Sequence, residues 1–150
     1  MRAFRRTLCA VDLTPASRRV VDVAIALARS QSGEVTFLHV LAPPVTPDAY
    51  EYLPDRMYEE MAAYLRRRAE KRLAAIVRRA AARKVRARTA LAEGLVDEAI
   101  LRAARRLKAD VLVVGTHGRK GIAKFLIGSV ASKVVANAPC PVLSVRSVAR

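Results

Sequence analysis

The residues of this chain best suited to chemistry crowd into one segment. From Ala109 it reads ADVLVVGTHGRKGIAKFLIGSVA: Gly115 and Gly118 flank Thr116 and His117, nine residues follow, and then come Gly128 and Ser129. Glycine has no Cβ, so an anion's oxygens can approach its backbone closely. A helix starting at Gly128 would turn unpaired amides and the positive end of its dipole toward that anion. The Ser129 hydroxyl adds a donor, and Arg119, Lys120 and Lys124 add positive charge. This is the composition of a phosphate cradle. It is neither a Walker A loop nor the dinucleotide pattern G-x-G-x-x-G. Taken as glycines alone, it equally fits a structural strand-to-helix connection with Ser129 as a helix cap.

Asp12, directly after the apolar run Thr7 to Val11, is a second candidate. A carboxylate repels phosphate but suits ribose hydroxyls or an adenine amine; its structural alternative is an Asx turn at a strand end. Val40, near the end of another apolar run, offers backbone N–H and C=O to a flat heterocycle.

These residues need elements to hold them. Thr7 to Val11 (TLCAV), Val35 to Leu41 (VTFLHVL) and Val111 to Val114 (VLVV) are nearly continuous apolar runs. That is the pattern of strands covered on both faces of a parallel sheet. Val142 to Val145 (VLSV) is similar, interrupted by Ser144. In Val85 to Leu91 (VRARTAL) apolar residues alternate with Arg86 and Arg88, which predicts an edge strand.

Helical periodicity fills the intervals. Residues 95–107 place Val96, Ala99, Ile100, Ala103, Ala104 and Leu107 on one stripe. After Gly128, Val130, Ala131, Val134, Val135 and Ala138 repeat it until Pro139 ends the helix. Residues 16–30 form another, with Thr14 as cap and Pro15 in the first turn. A long helix starting near Pro54 turns Met57, Met61, Leu65, Ala69, Leu73, Ile76, Val77 and Ala80 inward, and residues 42–53 read as a loop.

Strand–helix alternation throughout predicts one α/β domain over residues 1–150: an open, Rossmann-like, five-stranded parallel sheet with helices on both faces. Right-handed crossovers with the arginine-bearing strand at an edge give the order 3-2-1-4-5. Ligands of such sheets bind at the carboxyl ends of strands where crossovers depart in opposite directions. Here that point lies between the first and fourth strands, where Asp12 and the glycine segment meet.

Composition narrows the function. At 53% hydrophobic and 27% charged, 150 residues make a globular chain of one domain. Trp is absent and aromatics are 5%, which argues against a stacking platform for single-stranded nucleic acid. No apolar run approaches the ~18 residues of a membrane span, and the basic N-terminus lacks the apolar region of a secretory signal. Cys9 and Cys140 sit in apolar surroundings without metal-type spacing, so they are expected as buried, reduced thiols of a cytoplasmic protein. The net charge is +15, and eleven basic residues fall between Arg66 and Arg88 against the single acid Glu70. Arg67, Lys71 and Arg78 lie opposite the apolar stripe as a solvated face; the competing reading is contact with a nucleic-acid backbone.

Together these segments resemble the universal stress protein family. The pattern G-x-x-G, nine residues, G-[ST] at Gly115, Gly118, Gly128 and Ser129 is similar to the family's ATP-binding pattern. The strand ending in Asp12, EGLVDEAI from Glu93, ADVLVVGTHGRKG from Ala109, GSVASKVV from Gly128 and PCPVLSV from Pro139 extend the resemblance over nearly the whole chain. It implies an adenine nucleotide alpha hydrolase-like fold and an ATP ligand, with Mg²⁺ accompanying it. It places Ala10, Val11 and Asp12 in the adenosine pocket and the Val40 backbone against adenine. Gly115 and Thr116 would approach ribose and phosphates, while Gly118, Gly128, Ser129 and Val130 would hold the phosphates. His117 and Arg119 match positions in the same segment. The resemblance also implies a homodimer paired through Val142 to Val145, an exposed apolar edge if left bare.

Three function classes fit these residues: a nucleotide-binding stress-response module, a basic nucleic-acid-associated protein with a purely structural glycine loop, and a slow ATP-hydrolysing enzyme. The module is the preferred reading. Catalysis needs groups that orient a nucleophile and hold Mg²⁺ near the γ-phosphate, and Asp110 falls at the opposite end of its strand.

Overall fold

The apolar runs fold into strands that alternate with helices along the chain, in a computed structural model that describes residues 3–116 and 127–146. The elements are β1 (Arg6–Ala10), α1 (Ser17–Ser30), β2 (Glu34–Leu41), α2 (Pro47–Tyr50), α3 (Asp55–Ala82), β3 (Arg86–Glu93), α4 (Val96–Arg106), β4 (Val111–Gly115), α5 (Ser129–Asn137) and β5 (Val142–Val145). All strand pairs are parallel, and the sheet order is β3-β2-β1-β4-β5, as the sequence predicts.

Alternating residues of each strand serve two different cores. Cys9, Phe37 and Val113 face α1 and α3, where they meet Val20, Val21, Ala24, Ile25, Ala28, Leu73 and Ala80. Leu8, Leu38, Leu112 and Val114 face α4 and α5, against Ile100, Ala103, Ala104, Ala131 and Val134. At the N-terminal end of the sheet, Asp110 accepts from the Arg6 backbone N–H (2.9 Å) and from Arg6 Nη2 (2.8 Å), tying the start of β1 to β4. Asp110 therefore lies at the opposite end of β4 from Gly115, as expected.

Helices α1, α3 and α4 all end in the same way. In α1 the Gly33 N–H donates to Ala28 O and the Ser32 N–H to Arg29 O, with Ser32 left-handed at φ 50°. In α3, Val85 and Lys84 donate to Ala80 and Ala81, with Lys84 at φ 59°. In α4, Ala109 and Lys108 donate to Ala104 and Arg105, with Lys108 at φ 49°. Each is a Schellman ending that turns the chain directly into the next strand, with Ser or Lys where Gly is usual. Gly33 is required for a different reason: a Cβ there would lie 2.5 Å from Arg5 O.

Several expectations need correcting. Residues 42–53 are not all loop, because Pro47–Tyr50 forms the single turn α2. Met57 and Met61 do not face the core: they are 49% and 37% exposed. A 28-residue helix is about 42 Å long and an eight-residue strand about 26 Å, so the first turns of α3 overhang the sheet. Val130 and Val135 are also exposed, since α5 lies at the sheet's margin and only Ala131 and Val134 of it are buried. Both cysteines are free; Cys9 is fully buried, and burial pushes its thiol far up, whereas Cys140 is only half-buried. Among the described residues no helix is long and apolar enough to cross a membrane.

A left-handed conformation costs a non-glycine residue about 1–2 kcal/mol, partly offset by glycine's greater freedom in the unfolded chain. Lys108→Gly is therefore expected to stabilise the fold by about 0.5–1 kcal/mol in a urea titration. A lower midpoint for the variant would contradict the strain at this helix end.

Candidate functional site

At the carboxyl end of the sheet, β1 and β4 stop side by side, and the helices that follow them in the chain, α1 and α5, pack on opposite faces. Beyond Ala10, the Val11 N–H donates to Leu38 O at 2.8 Å, and Nδ1 of His39 donates to Val11 O at 2.8 Å. A carbonyl can only accept, so the His39 ring is fixed with its proton on Nδ1. Backbone groups of alternate residues point to the same side of a parallel strand. Val40, two residues past Leu38, therefore directs its N–H and C=O to where β1 has ended.

Asp12 closes an Asx turn. Its Oδ1 accepts from the Thr14 N–H (3.0 Å) and the Thr14 hydroxyl (2.7 Å). Leu13, between them, is left-handed at φ 60°, the fourth such non-glycine residue among those described and the one at no helix end. The Leu13 carbonyl accepts from Nη1 of Arg72 on α3 at 3.0 Å. Thr14 does not cap α1 as expected, because its hydroxyl is turned to Asp12. Its carbonyl instead accepts from the Ser17 N–H and hydroxyl, and the N-cap is Ala16 without a side-chain bond.

Across the cleft, the Thr116 N–H donates to Val145 O (2.9 Å) and the Gly128 N–H to Thr116 O (2.8 Å). These two amides are occupied within the chain. The N-cap of α5 is Gly128 rather than Ser129, and a Cβ on Gly128 would lie 3.1 Å from Thr116 O, tighter than is comfortable. The first intrahelical bond is Ser132 N–H to Gly128 O. The Ser129, Val130 and Ala131 amides precede it and are the ones a helix leaves without an intrahelical acceptor.

One cleft of about 940 Å³ joins these parts. Ala10, Val11, Asp12, Val40, Gly115, Thr116, Gly128, Ser129 and Val130 all line it. His117, Gly118 and Arg119 lie outside the described residues, as do Lys120 and Lys124. The third wall went unread in the sequence: Leu65, Arg68, Ala69 and Arg72 of α3 line the cleft, with His39, Leu13 and the Pro43–Pro44 segment. Their signal was present, since 65, 68, 69 and 72 follow the i, i+3, i+4, i+7 spacing of one helix face. Among the described residues Asp12 is the one carboxylate on the cleft wall, while Glu93 pairs with Arg66 and Asp97 with Lys133.

Fold and cleft together define an open α/β domain with a cleft at the switch point of its sheet. Residues 3–146 match the model of the universal stress protein family. A universal stress protein of Thermus aquaticus is 37% identical over 144 residues, covering 95% of this chain and 99% of the relative. Universal stress protein YxiE of Bacillus subtilis is 31% identical over 147 residues, with the same two coverages. The chain belongs to the universal stress protein family. Its fold is shared with UspA from Lactobacillus plantarum, at a TM-score of 0.83 and 21% identity over 97% of this chain and 100% of that one. It is shared also with a universal stress protein in complex with cAMP (TM-score 0.64, 24% identity, 98% and 100% covered). An Archaeoglobus fulgidus member in complex with dAMP matches at a TM-score of 0.65 (21% identity, 95% and 98% covered).

The turn at Asp12 can be tested without a ligand. Asp12→Ala removes the acceptor of two Thr14 donors and is expected to cost about 1 kcal/mol in equilibrium unfolding. Asp12→Asn keeps an oxygen acceptor and is expected to cost less than half as much. Superimposable curves for the wild type and Asp12→Ala would show that the turn holds nothing.

Proposed function

We propose that this chain binds an adenine nucleotide in the cleft between β1 and β4 and acts as a nucleotide-dependent stress-response module in the cytoplasm. ATP is the ligand, with Mg²⁺ arriving as its counter-ion. The supporting observation is the convergence of three unlike groups on one cleft: the Asp12 carboxylate, the Val40 backbone and the first amides of α5. The purine and ribose lie toward Asp12 and Val40. The phosphates lie at the Ser129, Val130 and Ala131 amides and the Ser129 hydroxyl, with Gly115, Thr116, His117, Gly118 and Arg119 completing their surroundings. The Thr116 and Gly128 amides are already bonded, so Gly128 serves by bringing the backbones close. The relatives solved with cAMP and dAMP support adenine nucleotides as the ligand class.

Mass spectrometry of nucleotide released from the denatured, freshly purified protein tests this reading directly. ATP at 100 times its dissociation constant is expected to stabilise the fold by about 2.7 kcal/mol. Ser129→Ala is expected to weaken binding, and Gly118→Val to weaken it more, because a branched side chain would block the phosphate's approach. Unchanged titrations for both variants would remove this loop from the site.

The same proposal includes a homodimer paired through β5. The carbonyls of Pro141 and Val145 accept from Leu112 and Thr116, so these odd-numbered residues face β4. The backbone groups of Val142 and Ser144 then point to the open edge. Leu143, Val135 and Val130 are exposed nearby. Ser144→Pro removes an outward N–H while sparing the β4 ladder, and is expected to shift sedimentation from dimer to monomer. An intact dimer in that variant would refute this interface.

A further inference from the structure

Among the described residues, four non-glycine positions are left-handed, and three of them are accounted for by helix ends. The fourth, Leu13, sits beside Asp12 with no helix end to justify it. Strain of this kind persists only where the surroundings over-determine the backbone. The surroundings here are two anchors: the Asp12 carboxylate accepts from the Thr14 N–H and hydroxyl, and Arg72 of α3 donates to the Leu13 carbonyl. Arg72 also lines the cleft, as does its neighbour one helical turn earlier, Arg68. Unlike Arg66, Arg79 and Arg83 of the same region, neither is found in an ion pair with a carboxylate among the described residues.

We infer that Arg72 is a positioning residue: its bond to Leu13 O holds the strained turn that presents Asp12 to the nucleoside end of the cleft. The inference rests on the nucleotide reading for its effect on binding, but the turn exists without a ligand. Arg72 therefore acts on affinity through Asp12 and not by meeting phosphate. Its removal affects adenosine and ATP alike, whereas a direct phosphate contact would affect ATP alone.

The full chain without ligand is examined first, by hydrogen exchange at the Thr14 amide. Arg72→Ala is expected to lower protection there, and Arg72→Lys, which can still donate to a carbonyl, to restore most of it. Unchanged protection in Arg72→Ala overturns the inference whatever the nucleotide experiments show. In titrations, Arg72→Ala is expected to weaken adenosine and ATP by the same factor, about tenfold, as for one lost charge-assisted hydrogen bond. That factor should vanish in an Asp12→Ala background. Arg68→Ala, which removes equal charge from the same wall without touching Leu13, should have less than half the effect. Loss confined to ATP, or equal losses in Arg68→Ala and Arg72→Ala, would overturn the positioning role. Failure of the wild type to bind either ligand would instead sink the nucleotide reading and leave the exchange result to decide the turn.

Discussion

The constraint from which this molecule follows is the reversal, between β1 and β4, of the direction in which successive parallel strands are added across the sheet. A right-handed crossover must pack back on the sheet it left. Strands added leftward from β1 therefore carry their helices on one face, and strands added rightward carry theirs on the other. Helices α1 and α3 accordingly share one core, α4 and α5 the second, and the sheet is sealed on both sides by aliphatic side chains. Only where the two halves part does the carboxyl edge stay open. The cleft is a by-product of that topology, and the residues on its rim inherit a position they did not have to create.

The turns show two ways of handling unfavourable backbone. Ser32, Lys84 and Lys108 are left-handed at helix ends, where two backbone hydrogen bonds offset the strain and the chain gains a direct path into the next strand. Leu13 is held instead by side chains from its own turn and from α3. The first kind of strain serves connectivity. The second ties a distant helix to the rim of the cleft.

Much of this was legible in the sequence because the signals are large and local. Continuous apolar runs mark strands buried on both faces, the Arg86 and Arg88 alternation marks the edge, and these with handedness determine the order. Asp12, Val40, Gly115 and Gly128 could be placed on one cleft because topology alone brings strand ends to one point. What escaped had weaker signals. Lys and Ser at left-handed positions gave no sign of the Schellman geometry, although the helix bounds 16–30 and 95–107 read from periodicity lie within one residue of those found. Met57 and Met61 keep the periodicity of the core stripe, but periodicity does not report where the sheet underneath stops. Arg68 and Arg72 were submerged in a run of basic residues whose outer members, Arg67, Lys71 and Arg78, are indeed exposed. Only the path of α3 over the cleft separates the two groups.

The two margins of the sheet are chemically unequal. On β3 the outermost strand bears Arg86 and Arg88, so a second copy brought up to it meets like charge; on β5 the outermost strand is short and aliphatic. A sheet with two permissive margins can recruit neighbours without limit and grow into a fibre. With one margin guarded, addition stops once the other has been used, and a two-fold arrangement consumes it on both copies at once. Arg86 and Arg88 thus place positive charge on the margin farthest from β5, where it disfavours the addition of a further strand.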